Sequence, residues 1–255
     1  MRMMKKVLGT VTVLALSASL LAGCGSTAAS PVSSAAESTT SSVVSETTSA
    51  AADENAAAAA QLLNDLTGSY QELWPVILAD EYQQTWLDDC TALVGEENAE
   101  AAFEKLSSMV TGDVYGEDAV KAYANGGGAY FCGFTNSLAI LTFDGETSTI
   151  SGTDKDGNVL FSHTYHYIGM EPVRGLYEFE SDDADSGEFT YFFLAPDTSA
   201  ETYHIEFRYG SDADALSQYD AGDYAYWLAS GISTDCDQTM IDNCIKLFCT
   251  ENLAG

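Results

Sequence analysis

The chain has 255 residues, of which 39 are acidic and only 9 are lysine or arginine, so its formal net charge is −30 at pH 7. This charge repels nucleic acid and anionic lipid headgroups, which excludes nucleic-acid binding and polybasic docking on a membrane, whereas it attracts cations. No motif typical of a hydrolase, a nucleotide-binding enzyme or a metalloprotease is present, and we therefore expect a binding protein, not an enzyme.

The first 23 residues have the order of a secretory signal peptide. A basic head at residues 1–6 is followed by an apolar segment from Val7 to Leu21. The sequence Leu-Ala-Gly-Cys then ends at Cys24, which is the pattern of a lipobox that is cleaved just before its cysteine. We predict a lipoprotein that begins at Cys24 and carries a lipid there. Its expected location is the cell envelope, outside the cytoplasm, with the lipid as its membrane anchor.

Residues 24–56 are rich in serine, threonine and alanine and lack apolar periodicity, which predicts a disordered tether. Residues 57–255 are long enough for one domain with a full core. Five cysteines follow Cys24, and an odd number in an oxidising compartment leaves at least one thiol unpaired. Their pairing stays open from the sequence. They are Cys90, Cys132, Cys236, Cys244 and Cys249.

The first part of this domain, about residues 57–124, has the composition and spacing of helices. Pro75 interrupts the pattern and predicts either a kink or the start of a new helix. Asn125 and three glycines after it end the helical part. The predicted helical segments are 56–66, 66–86, 99–109 and 118–124.

Beyond the glycines the pattern changes to short alternating segments separated by turns such as Asp144-Gly145 and Asp156-Gly157. Seven strands in sequence with tight turns predict an antiparallel sheet that closes into a barrel over about residues 129–212. A C-terminal helix is predicted from Met240 to Phe248. The predicted strands are Ala129–Phe134, Leu138–Phe143, Thr147–Gly152, Val159–Tyr167, Val173–Glu180, Phe189–Leu194 and Thr202–Tyr209.

Four motifs resemble those of the ZinT (YodA) family and occur in the same order. Residues 173–180 resemble its Val-Arg-x-Leu-Phe-Glu strand, and Leu194-Ala195-Pro196 resembles its Ile-Ala-Pro. Residues 203–212 resemble its His-x-His strand with the turn that follows. Residues 70–75 resemble its N-terminal Trp-Gln-x-x-Tyr-Pro helix. The resemblance covers about residues 60–233.

The resemblance implies a mainly β fold for residues 57–255: an antiparallel lipocalin-like (calycin-type) β-barrel with an N-terminal helical segment and a C-terminal helix. It also implies an extracytoplasmic protein that binds zinc or a similar divalent metal ion. Such a protein captures the ion for a metal ABC importer. Family members bind the metal through three histidines, one before the Ala-Pro and two in the His-x-His.

This chain departs from the family at two of those three positions, which hold Phe192 and Thr202, and only His204 is retained. Alternate residues of a strand share one face, so Glu206 lies on the side of His204, with Arg208 as a competitor for its charge. If the family's orientation holds, this face points into the barrel. We expect zinc binding to weaken below about pH 6.5, where a free imidazole is protonated.

His163 and His166 are candidates for a further ligand. At a separation of three they face opposite sides of a regular strand, so one of them at most completes a site with His204 and Glu206 unless a bulge intervenes. The alternative is that all three histidines form hydrogen bonds within an aromatic barrel wall and bind no metal. In that case the barrel binds a small molecule or another envelope protein.

Overall fold

The structure, a computed structural model, describes residues 54–112, 114–197 and 199–254. The predicted signal peptide, the lipid attachment site at Cys24 and the predicted tether up to residue 53 lie outside the described residues. None of the helices in the described ranges combines the length and the apolar character that a membrane crossing requires.

Eight antiparallel strands form a closed barrel, in which each strand pairs with the next along the chain and the last pairs with the first. This is the lipocalin-like barrel that the sequence predicts. The strands are β1 (Gly68–Glu72), β2 (Ile140–Asp144), β3 (Thr149–Thr153), β4 (Val159–Met170), β5 (Tyr177–Ser181), β6 (Tyr191–Leu194), β7 (Ile205–Gly210) and β8 (Ala229–Ser233).

Helices precede the barrel, interrupt it and follow it. A 3-10 turn at Asp80–Tyr82 lies between the second and third helices. The helices are α1 (residues 54–65), α2 (Leu73–Ile77), α3 (Gln83–Val94), α4 (Glu96–Ser108), α5 (Glu117–Ala124), α6 (Ser199–Thr202), α7 (Ala213–Leu216) and α8 (Gln238–Leu253).

The barrel interior is filled with aromatic side chains. Phe192 on β6 is fully buried, and its ring centroid lies 5.3 Å from that of Tyr209 on β7 and 5.4 Å from that of Tyr165 on β4. Phe207 and Phe161 extend the same cluster. Because inward and outward residues alternate along each strand, the apolar face of β7 occupies this interior and its polar face lies outside.

A second apolar cluster lies outside the barrel, where α3 packs against α4 and α8. Trp86 on α3 is fully buried and contacts Phe248 on α8 at 5.8 Å between ring centroids. This cluster covers the outer side of the barrel near β8, because Ile232 belongs to it. We call it the helical cluster; its buried members are Leu73, Trp74, Ile77, Tyr82, Trp86, Cys90, Ala99, Leu106, Cys132, Ile232, Ile241, Cys244, Ile245 and Cys249.

The structure differs from the sequence prediction at both ends of the barrel. The sequence predicts the first strand at residues 129–134, but these residues make only isolated bridges at Phe131. Strand β1 lies instead in a segment with helical spacing, and β8 has no predicted counterpart. The barrel therefore spans residues 68–233. The two strands pair with each other from opposite ends of this segment, and this pairing of distant segments decides their conformation.

Candidate functional site

His204 lies in a tight turn between α6 and β7. Its Nδ1 is 2.7 Å from the carbonyl oxygen of Thr202, and since a carbonyl only accepts, Nδ1 carries a proton and donates it. Thr202 Oγ1 donates in turn to the carbonyl oxygen of His204 at 2.8 Å. Between them, Tyr203 has φ of 65°, a left-handed conformation that is rare for a bulky residue. The turn fixes the imidazole and leaves Nε2 for other partners.

The second ring nitrogen faces a carboxylate. Nε2 of His204 lies 3.9 Å from Oε1 of Glu206, while the histidine side chain is 18% exposed and the glutamate side chain 44%. This distance is too long for a hydrogen bond. Two ligands of one tetrahedral zinc ion lie about 3.4 Å apart, given zinc–ligand distances of about 2.0–2.2 Å. The pair is therefore spaced close to what a shared metal ion requires.

Cys244 approaches the same ring from helix α8. Its Sγ lies 3.9 Å from Nδ1 of His204, and the cysteine is buried. Because it lies on the Nδ1 side of the ring, it cannot share a metal ion with Nε2. Cys244 thus holds the imidazole in place from the helical cluster, a contact that no pattern in the sequence indicates.

The surroundings of His204 change its protonation. Burial alone would lower the pKa of this imidazole, but the contacts with Cys244 and Glu206 outweigh that effect and raise the pKa to about 10. The ring is therefore protonated at neutral pH in the absence of a metal ion. Protons therefore compete with zinc for this ring up to a pH near 10, and not only below about 6.5 as the sequence suggests.

A cavity of about 350 Å³ opens beside Glu206. Asp197 and Arg174 also line it, together with Ala195 and Pro196. Residues from three of the four motifs that carry the family resemblance thus meet at one place. The cavity gives solvent and small ions a path to the carboxylate of Glu206, and Asp197 adds a second carboxylate to its wall.

The expected orientation of this strand is wrong. Ile205, Phe207 and Tyr209 belong to the barrel core, so Glu206 and Arg208 lie on the outer face of β7. The apolar residues take the interior because burying them there removes more apolar surface from water. His204 and Glu206 therefore meet outside the barrel and not in its interior.

The expected competition between Arg208 and Glu206 is also wrong. Arg208 is fully buried and donates hydrogen bonds to the main-chain carbonyls of Leu216 and Tyr224. Its guanidinium lies 4.3 Å from the ring centroid of Tyr219. Because the side chain points away into the segment after α7, the charge of Glu206 stays available to another cation.

His163 and His166 lie on opposite faces of β4, as their spacing predicts. His163 is half-buried, and its Nδ1 lies 2.8 Å from Oδ2 of Asp183. His166 is exposed, and its Nδ1 lies 2.8 Å from Oδ1 of Asp182. Each of the two histidines therefore has a carboxylate partner of its own.

The strand register places these two histidines far from His204. His166 pairs with Glu180 on β5, which pairs with Tyr191 on β6, which pairs with Gly210 at the end of β7. His204 precedes the start of β7, so the separation is about three strand spacings, or ~14 Å, across the sheet and ~20 Å along it. Across residues 54–112, 114–197 and 199–254, no three His, Cys, Asp or Glu side chains are grouped closely enough to hold a metal ion.

Comparison with known proteins gives structural similarity only. No family model matches the sequence, and no curated protein is significantly similar to it. The Zn(II)-bound ZinT-like domain of Streptococcus pneumoniae AdcA has a TM-score of 0.46 and 15% identity, covering 72% of this chain and 89% of that domain. Zn(II)-bound AdcA from the same organism has a TM-score of 0.43 and 14% identity, covering 76% of this chain and 35% of that chain. This chain thus spans about a third of the length of AdcA.

Proposed function

We propose that this protein is an extracytoplasmic lipoprotein that captures zinc or a similar divalent metal ion through His204 and Glu206. The observation that carries metal binding is the orientation of the His204 ring, with Nδ1–H held by a backbone carbonyl and Nε2 directed at a carboxylate. Histidines that bind metals commonly donate their other ring N–H to a backbone carbonyl or carboxylate, which fixes the tautomer.

A proton occupies this site when no metal ion is bound. The raised pKa of His204 keeps a proton on Nε2 at neutral pH, and the imidazolium neutralises the charge of Glu206. A zinc ion at Nε2 displaces this proton and takes over the interaction with the carboxylate. Binding therefore exchanges a proton for a metal ion, and affinity rises with pH until the pKa of His204 is passed.

His204 and Glu206 supply two ligands in this proposal, and water or Asp197, which lines the cavity beside Glu206, would fill the remaining positions. Zinc that is held by few protein ligands with open positions exchanges more readily than zinc in a closed four-ligand site. Ready exchange suits a protein that passes its metal ion on to another protein. The net charge of −30 raises the local concentration of cations around the site.

Delivery to a metal importer and anchoring by lipid at Cys24 are the parts of this proposal that rest on the sequence alone. The Leu-Ala-Gly-Cys sequence supports the anchor, and the four ZinT-like motifs support delivery. In this proposal the protein is a binding protein and performs no catalysis.

The test is a zinc titration of the wild type, His204→Gln and the control His166→Gln. The control removes an imidazole that also has a carboxylate partner but lies at a distant place on the barrel. We expect His204→Gln to lose at least tenfold in zinc affinity, since even the loss of an outer-shell partner costs about that much. His166→Gln should keep the wild-type affinity. Equal affinities of all three proteins would refute the site.

A second candidate function is a barrel without a metal site that binds a small molecule or another envelope protein. Phe192 favours it, because this apolar ring lies inside the barrel at the position where the resemblance places a metal ligand. A mainly apolar cavity of about 300 Å³ is lined by Trp74, Pro75 and Phe131. Binding of an apolar fluorescent probe that changes the emission of Trp74, together with no response to zinc, would favour this alternative.

A further inference from the structure

The structure brings two buried thiols from distant parts of the chain into contact. Cys90 on α3 and Cys249 on α8 are both fully buried, and their Sγ atoms lie 3.9 Å apart. We propose that Cys90 and Cys249 form a disulfide bond when the chain folds under oxidising conditions, and that this bond ties α8 to α3.

The two sulfur atoms are in van der Waals contact but not yet at bonding distance. The S–S bond length is about 2.05 Å, so the two sulfur atoms must approach by about 2 Å in total. Rotation of the two side chains about their Cα–Cβ bonds can share this movement. The helices that carry them already pack together, and the contact between Trp86 and Phe248 holds them in this arrangement. The two thiols are therefore held side by side before the bond closes.

The surroundings explain why the bond must form during folding. Burial raises the pKa of the Cys90 thiol, although its contact with Cys249 acts in the opposite direction. Burial also raises the pKa of the Cys249 thiol. The thiolate is the form that attacks a disulfide, so both cysteines are unreactive once α8 is docked. While α8 is still undocked, both thiols are accessible to an oxidant.

The chemistry is thiol–disulfide exchange with a small-molecule or protein disulfide as the oxidant. The thiolate of one cysteine attacks a sulfur of the oxidant, forms a mixed disulfide and releases one thiol of the oxidant. The second cysteine, as a thiolate, then attacks its partner's sulfur in the mixed disulfide and releases the other thiol. The two protein thiols lose two electrons and two protons, and the oxidant disulfide is reduced to two thiols.

The other described cysteines have different surroundings. Cys244, which lies on α8 like Cys249, contacts His204, and Cys132 lines the same cavity as Trp74. The proposed disulfide therefore does not involve the candidate metal site. Zinc binding and disulfide formation can be tested separately, and failure of one leaves the other standing.

The test uses the full chain, reduced and denatured, and then refolded in a mixture of reduced and oxidised glutathione. The product is denatured again in excess N-ethylmaleimide, digested with a protease and mapped by mass spectrometry. We expect a linked pair of peptides that contains Cys90 and Cys249 and separates on reduction. Modification of both cysteines by N-ethylmaleimide, or linkage of either one to a different cysteine, would overturn the proposal.

A thermal unfolding experiment gives a second readout. Oxidation should raise the Tm of the wild type by roughly 10 °C, because the bond closes a long loop in the unfolded chain. The control Cys132→Ser should show the same rise, since it leaves both partners in place. Cys249→Ser should show none. A rise of equal size in Cys249→Ser would contradict the assignment, and the peptide map of the wild type decides the matter if a variant does not fold.

Discussion

Nε2 of His204 lies 3.9 Å from Oε1 of Glu206 on the outer face of the barrel, while Nδ1 of the same ring donates to a backbone carbonyl. The relationship explains two properties at once. It adds to the raised pKa of the histidine, since Glu206 and the nearby Cys244 both favour the charged ring. It also presents one nitrogen and one oxygen at nearly the spacing of two ligands of a zinc ion.

The first prediction concerns the titration of His204. Its pKa should lie well above 6.5 and near 10 in the metal-free protein, because Cys244 and Glu206 favour the charged ring and outweigh the effect of burial. The ring resonances of His204 in an NMR pH titration measure this directly. Glu206→Gln should lower the value, since it removes the negative charge. A titration midpoint near 6.5 in the wild type would contradict the described contacts.

The second prediction concerns stability as a function of pH. The folded state holds the His204 proton more tightly than the unfolded state, whose histidine has a pKa of about 6.5. The contribution of this group is therefore fully present below pH 6.5 and is lost as pH rises toward 10. Chemical denaturation between pH 6.5 and 10 should show a steeper loss of stability in the wild type than in His204→Gln. Parallel curves would show that the imidazole is not tightly protonated.

The third prediction tests whether Cys244 is a metal ligand or only a neighbour of His204. Cys244→Ala removes a group that raises the pKa of His204, so the proton competes less and zinc affinity at pH 7 should increase. If Cys244 were itself a ligand, the affinity should fall. A zinc titration of Cys244→Ala beside Cys236→Ala distinguishes the two outcomes.

The fourth prediction concerns Phe192 in the barrel interior. Phe192→Ala should destabilise the fold by about 3–5 kcal/mol, because the fully buried ring leaves a cavity among aromatic neighbours. Val159→Ala is the control, since Val159 is 71% exposed and should change stability by less than about 0.5 kcal/mol. Denaturant unfolding measures both. A small effect of Phe192→Ala would indicate that the interior is loosely filled.

The fifth prediction tests the location. Cys24→Ala removes the residue that carries the predicted lipid, so the protein should leave the membrane fraction. Fractionation of cells that express the wild type or the variant measures this. Retention of Cys24→Ala in the membrane fraction would refute the lipobox.

The sequence predicted the closed antiparallel barrel and the helices around it because period-2 patterns and turn residues are local signals. Hairpin turns such as Asp144-Gly145 mark the strands before and after them. Strand β1 was not predicted, because Tyr70 continues a helical spacing. The pairing of β1 with β2 and β8 is decided by residues far along the chain. Pro75 marks a new helix, α2, which was one of the two possibilities.

For the site, the sequence predicted that His204 and Glu206 are neighbours, since alternation along a strand is local. It could not predict the face, because inward orientation depends on which side of β7 buries more apolar surface in the finished barrel. The contact between Cys244 and His204 could not be predicted from the sequence either. It arises from the packing of α8 against a turn 40 positions away, for which the sequence carries no periodic signal.

The most direct test of the account is the number of protons that the protein releases when it binds zinc. Calorimetric titration at pH 7 in two buffers with different ionisation enthalpies gives this number. We expect release of about one proton per zinc ion in the wild type, from Nε2 of His204, and at least tenfold weaker binding in His204→Gln. No zinc binding by the wild type at micromolar concentration, or binding without proton release, would contradict it.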